Sequence, residues 1–371
     1  LNDPERANRF RSPNSGCAIV IRALLPDLQK LFAVSTPAHA VDQDDRPESS
    51  SRAPLAFSST RNVADAVHLS EHFESQLLEI VSACQDGHFI VTKGFAGSGA
   101  LMQALDQVKA NDVVLLGPGT HVIPEGAQLD QPVGICSFDE EGCMQECEIV
   151  CKKGFGFDIL GQAGSSTVFF GVKLTKHVGA QSASIVNRSG SVVLQNCTFV
   201  TSEGCAIFCA VESADCQVVC AGCKFLNAGE GDLALLAKDG ATVEMSRCNF
   251  SGCSLHATTG GLIHAEACQF VESTQDSMIV DTDGVLRARN CKVIGSLQNG
   301  ITVRERGMLT LNRCAVVRSR KIGIVCSGLA SSVHLKESIV REGWLHGVSF
   351  RCMCLCGIPC LCAYSCSCYS S

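Results

Sequence analysis

Three groups of residues in this chain have types that could do chemistry. The first is the acid pair Asp281 and Asp283 in "DTD", with "RKI" at Arg320–Ile322 and "HG" at His346–Gly347 downstream. Hydrolysis of a glycosidic bond takes two carboxylates placed across it; elimination takes calcium-binding acids with an Arg or Lys base. The second group is cysteine: Cys136, Cys143, Cys147 and Cys151 in "CSFDEEGCMQECEIVC", and Cys216, Cys220 and Cys223. Thiolates hold zinc, but neither set has the paired C-x2-C arrangement, so no metal is expected. The third is the glycine-rich "GFAGSG" at Gly94–Gly99. No strand clearly precedes it and no Gly-Lys-Ser/Thr follows, so it reads as a linker and no cofactor is expected.

The elements that would have to position these groups repeat. Cys197, Cys223, Cys248, Cys268, Cys291, Cys314 and Ser338 recur at intervals of 26, 25, 20, 23, 23 and 24 residues. Five and three residues before each marker stand Val192/Leu194, Val218/Cys220, Val243/Met245, Ile263/Ala265, Leu286/Ala288, Leu309/Leu311 and Val333/Leu335. Two residues after it stand Phe199, Phe225, Phe250, Phe270, Val293, Val316 and Val340. Ten and twelve residues after it stand Ile207/Cys209, Leu233/Leu235, Met278/Val280, Ile301/Val303, Ile324/Cys326 and Val348/Phe350. The 20-residue coil breaks the pattern with Thr258 and Gly260.

Alternation by two is a strand with one buried face, and a period near 23 residues is a coil. The fold expected is all-β, a right-handed single-stranded parallel β-helix of about ten coils over residues 111–350. The cysteines are then an internal ladder of small buried thiols. An N-terminal α-helical cap completes residues 61–110, where Leu69, Phe73, Leu77 and Ile80 share one helical face and Ser98–Ala110 forms the cap proper. Residues 1–60 read as mostly disordered, with a short helix within Cys17–Phe32 broken by Pro26. Residues 351–371 are a Cys-rich tail with seven cysteines that could bind metal or accept palmitate; a disordered tail or a gene-model error is the plainer reading.

Composition narrows the function. A formal charge of −7 argues against nucleic acid as a partner, and no stretch is apolar enough to span a bilayer. An odd total of 25 cysteines, many in the ladder, suits reduced thiols in a cytosolic or nuclear protein over a secreted disulfide framework, and a cytoplasmic location is expected. The chain begins at Leu1 rather than Met, which leaves open a missing preceding segment.

The segments "ALMQALDQVKANDVVLLGPGTHVI", "FFGVKLTKH" and "SVVLQNCTFVTSEGCAIF" resemble the start of the pectate-lyase-like β-helices of two families. One is the Shc-binding spindle and midbody proteins, the nessun dorma family; the other is the β-helix F-box proteins. The first resemblance implies a non-enzymatic scaffold in spindle function or cytokinesis, cytoskeleton-associated, with cell-division proteins as partners and a glycan as a further candidate. The second implies substrate recruitment to a ubiquitin ligase, although no F-box or Shc-binding region is matched in residues 1–95. A polysaccharide lyase or glycoside hydrolase is the third alternative. Against it, "DTD", "HG" and "RKI" only loosely resemble the polygalacturonase pattern, the paired-Asp and GHG elements are missing, and the single tryptophan is Trp344.

In the repeat register Asp281 and Asp283 fall one coil from Arg304 and Arg306. An exposed charge ladder is expected there, Asp281 with Arg304 and Asp283 with Arg306. It would form part of a partner-binding basic stripe with Arg287, Arg289, Arg313, Arg318 and Arg320.

Overall fold

The computed structural model describes residues 17–22, 90–96, 99–110, 112–117, 119–137, 147–161, 166–176, 183–201, 205–210, 216–227, 233–328, 330–341, 343 and 345–351. The alternating stretches pair with the equivalent stretch one coil away, in parallel and in register, as Val285–Arg289 does with Met308–Asn312. Each coil supplies one strand to each of three sheets; one coil reads Val285–Arg289, Lys292–Ile294, Ile301–Val303. Among the described residues the second and third sheets hold ten strands each and the first holds twelve. Over the described residues the chain is an all-β parallel β-solenoid with almost no helix.

The extra strands of the first sheet correct the reading of the N-terminus. Cys17–Arg22 is a strand, antiparallel to both Ile90–Ala96 and Asp112–Leu116, where a short helix was expected. Its run Ile19–Val20–Ile21 favours a strand, and the open edge of Asp112–Leu116 offers the pairing that decides it. Gly94–Ala96, expected in a linker, ends the strand Ile90–Ala96. The helix is shorter than expected, Ala100–Leu105, and buries Ala100, Leu101 and Ala104 in the interior. The expected helix near Leu69–Ile80 and the Cys-rich tail beyond Arg351, which ends a strand, lie outside the described residues.

Two kinds of sharp corner turn the chain. Before each marker one residue takes the left-handed conformation: Asn196, Arg247, Ala267 and Asn290 have φ 53°, Arg313 54° and Glu337 50°. A non-glycine residue there carries about 1–2 kcal/mol of strain. Ala267 is exposed at such a corner, so Ala267→Gly is expected to raise stability by about 1 kcal/mol. A thermal melt checks it, and an unchanged or lower Tm would count against the strain.

From the third sheet back to the first the chain uses tight turns with two successive positive-φ residues, Thr259/Gly260, Thr282/Asp283 and Glu305/Arg306. They are closed by Gly261, Gly284 and Gly307 N–H donating to the carbonyls of Thr258, Asp281 and Arg304 at 2.8, 2.8 and 2.9 Å. This is type I′ geometry. A Cβ on Gly284 would collide with the Ala257 carbonyl of the coil beneath. Close backbone approach therefore accounts for the recurring glycine.

The interior is a set of columns. Val172, Cys197, Cys223, Cys248, Cys268, Cys291 and Cys314 are buried at one corner and follow one another coil by coil, with Ser338 closing the column. Beside them Phe199, Phe225, Phe250 and Phe270 stack nearly parallel, centroids 5.0, 4.6 and 4.4 Å apart. In the third sheet the inward pair of one coil is Leu235/Ala237, two residues later than Leu233/Leu235, because the path from Cys223 to Leu235 is two residues longer than that from Cys197 to its register partner Ile207. In the 20-residue coil the inward pair is Leu255/Ala257, not Thr258/Gly260. That coil is short because its link from the second sheet to the third, between Asn249–Ser251 and Ser254–Ala257, is only two residues. At the last coil Val333, Leu335, Val340 and Val348 are only half-buried.

His121 is an unusual interior residue, fully buried on the strand Gly119–Ile123. Its Nε2 lies 3.0 Å from the Gly117 carbonyl, and Nδ1 has no partner among the described residues. Burial lowers its pKa below the ordinary 6.5, against a smaller upward pull from the Gly117 carbonyl. A depressed folded pKa means the unfolded chain takes up the proton first. Stability should be unaffected by this group above about pH 6.5 and fall as the pH drops through that value, by at most about 1.4 kcal/mol per unit. Denaturant unfolding at neutral and mildly acid pH checks it, with His121→Leu expected to flatten the slope.

Candidate functional site

A cluster of charged side chains drawn from three successive coils sits where the third sheet turns into the first. Asp281 directly follows the strand Met278–Val280, and Arg304 follows Ile301–Val303 one coil on. Parallel register stacks them, and Arg304 Nε and Nη2 donate to Asp281 Oδ2 at 3.2 and 3.0 Å. His256, on the preceding strand Ser254–Ala257, places Nε2 3.1 Å from the same oxygen. Asp283 and Arg306 form a bidentate pair in the turn itself, Nε to Oδ1 and Nη2 to Oδ2 both at 2.6 Å.

The two expected pairs are therefore present, with one correction. Asp281 is not an exposed rung: its side chain is 9% accessible against 52% for Asp283. Burial raises the Asp281 carboxyl, but hydrogen bonds from Thr258 and Arg304 and the nearby His256 outweigh it, so the net direction is downward. Asp283 is also held down, chiefly by its hydrogen bonds from Arg306. Both acids stay ionised and occupied. A general acid needs the opposite, a carboxyl held up near the working pH.

His256 is the residue that sequence spacing missed. Counted from Cys248 at the usual intervals it falls nowhere in particular, because its coil is short between the second and third sheets. Strand pairing puts it beside Ile279 and so next to Asp281. The signal was in the turn glycines: counting back from Gly261, Gly284 and Gly307 aligns Thr258, Asp281 and Arg304.

The remaining candidates do not converge on this cluster. Arg320 and Lys321 lie just before the strand Ile322–Ser327, and His346 opens the strand His346–Arg351. They occupy the leading end of the third sheet, whereas Asp281 and Asp283 follow its trailing end. Cys136 is on the first sheet, and Cys147 and Cys151 are on the second. Cys216, Cys220 and Cys223 are buried in the core. Among the described residues no group of three or more His, Cys, Asp or Glu could hold a metal ion; Cys143 lies outside them.

The seven arginines do not make one stripe. Arg287 and Arg289 are on the first sheet and Arg313 is at its corner with the second. Arg304 and Arg306 are in the turns from third sheet to first, and Arg318 and Arg320 are in the link from second to third. A coil carries residues onto three faces, so neighbours in sequence part company. Four are engaged by acids one coil away: Arg304 and Arg306 as above, Arg313 with Glu337 at 2.6 Å, and Arg289 with Glu266 at 4.0 Å. Arg287, Arg318 and Arg320 are exposed and make no ion pair among the described residues.

In comparisons with known proteins, no family model matches this chain and no curated protein matches it. No helix among the described residues is long and apolar enough to cross a membrane.

Proposed function

We propose that the protein is a non-catalytic cytoplasmic β-solenoid scaffold that binds protein partners on its outer faces. The state of Asp281 and Asp283 supports this: each is ionised and tied to an arginine of the next coil, so the acids that an enzyme would use serve the stack instead. Arg318 and Arg320, with Arg287, are among the exposed cations that make no ion pair among the described residues, and these are the groups we assign to an acidic partner. The likeness of "FFGVKLTKH" and its neighbours to the Shc-binding spindle and midbody family suggests cell-division partners.

The reading predicts different outcomes for the two arginine classes. Charge reversal at Arg318 and Arg320 should weaken partner capture in a salt-dependent way and leave the melting temperature alone. Reversal at Arg304 and Arg306 should lower the melting temperature, because each glutamate would face an aspartate. Quantitative affinity capture from dividing cells, paired with thermal melts, separates them. Recovery of cullin-ligase subunits would favour substrate recruitment to a ubiquitin ligase. Depolymerisation of a polyuronate by purified protein, lost in Asp281→Asn, would sink the scaffold reading.

A further inference from the structure

Most cysteines of the core column are kept apart by the fold, but one pair outside that column is not. Cys209 lies on the strand Cys205–Ala210 of the third sheet, and Cys216 immediately precedes the strand Gln217–Ala221 of the first. Both are free thiols, buried to 0% and 3% accessibility, and their sulfurs are 3.2 Å apart. Cys216 Sγ also lies 3.3 Å from the Asn187 carbonyl, while Asn187 Nδ2 donates to the carbonyls of Gly190 and Gln217 at 3.2 and 3.0 Å. The two thiols thus sit across one coil corner, held from both sides.

The contrast with the column is geometric. Stacked parallel neighbours keep a spacing of about 4.8 Å with their Cβ vectors side by side, outside the Cβ separation of about 3.5–4.5 Å that a disulfide needs. The column thiols meet one another only along that stack, and each also faces backbone carbonyls: Cys291 Sγ lies 3.4 Å from Ala265 O and 3.3 Å from Arg289 O, and Cys314 Sγ 3.4 Å from Ala288 O. For Cys209 and Cys216 the sulfurs need approach by only about 1 Å to reach bonding distance.

We propose that Cys209 and Cys216 are a disulfide-forming pair, oxidised by small-molecule disulfides such as oxidised glutathione. One thiol loses its proton and attacks the oxidant, giving a mixed disulfide and releasing one small thiol. The second loses its proton and attacks the protein sulfur of that mixed disulfide, releasing the other small thiol. Two S–H bonds are replaced by one S–S bond, and the oxidant is reduced to two thiols. Burial keeps the pair from solvent in the closed fold, so exchange proceeds through local opening of this corner. In a reducing compartment the pair stays as two thiols; in an oxidising one it cross-links the third sheet to the first within one coil.

The test uses the full chain, equilibrated in glutathione buffers from reducing to oxidising, alkylated, digested without reduction and sequenced by tandem mass spectrometry. The expected result is a Cys209–Cys216 link, 2 Da lighter than the dithiol peptide, in protein whose circular dichroism is unchanged, with a Tm several degrees above that of the reduced form. Cys216→Ser should abolish the link and leave Cys209 alkylated after denaturation. Cys209→Ala offers a second variant if the serine is poorly tolerated. Both thiols alkylated after the oxidising incubation, or links within the Cys197–Cys314 column in their place, would overturn the proposal.

Discussion

Cys291→Glu is expected to lose several kcal/mol of stability, enough to leave little folded protein at ambient temperature. Cys291 is 2% accessible and sits between Cys268 and Cys314 in the column. A carboxylate there would meet thiols and backbone carbonyls, none of which can neutralise it. Cys291→Ser should cost far less, and the fold itself shows why. Ser338 ends the same column, and its hydroxyl donates to Leu311 O at 3.3 Å and Lys336 O at 2.9 Å, the two carbonyl positions that Cys291 Sγ faces in Ala265 and Arg289. The pKa of the Cys291 thiol is pushed up to about 12, first by its hydrogen bond with Cys268, with Cys314 pulling the other way and burial adding to the rise. It should label slowly in native protein. Denaturant unfolding of the two variants checks the first expectation, and rapid native labelling at Cys291 would refute the column.

The second large effect is expected at the centre of the aromatic stack. Phe250 is fully buried, with Phe225 4.6 Å to one side and Phe270 4.4 Å to the other. Phe250→Ala removes the transfer energy of the ring, leaves a cavity and breaks both stacking contacts, a loss of about 3–5 kcal/mol. Phe250→Leu should cost much less than the alanine change, because the next positions of the column, Val293 and Val316, are already aliphatic. If unfolding free energies showed alanine and leucine costing the same, the loss would lie in the ring contacts and not in the buried volume.

Much of this fold was legible because a solenoid repeats one local decision. Alternation at five and three residues before a cysteine and two after it specifies which side chains face inward, and repetition specifies that each coil lies on the last. The same arithmetic placed Arg304 and Arg306 over Asp281 and Asp283, since in-register parallel strands convert a fixed separation in sequence into contact. It failed where a coil changed length. The shift of Leu233 and Leu235, and the short link that carries His256 to Asp281, depend on how the loop between the second and third sheets closes. No period records that.

By itself, then, the sequence determined the coil, its inward columns and its charge ladder, because these follow from spacing along one chain. Tertiary structure alone decided three things. The strand Cys17–Arg22 exists because the first sheet has an open edge to pair. Asp281 is buried because His256 and Arg304 arrive from the coils on either side. Seven arginines that read as one stripe are divided among separate sheets and corners, because a turn of the coil sends residues a few positions apart to different sides of the stack.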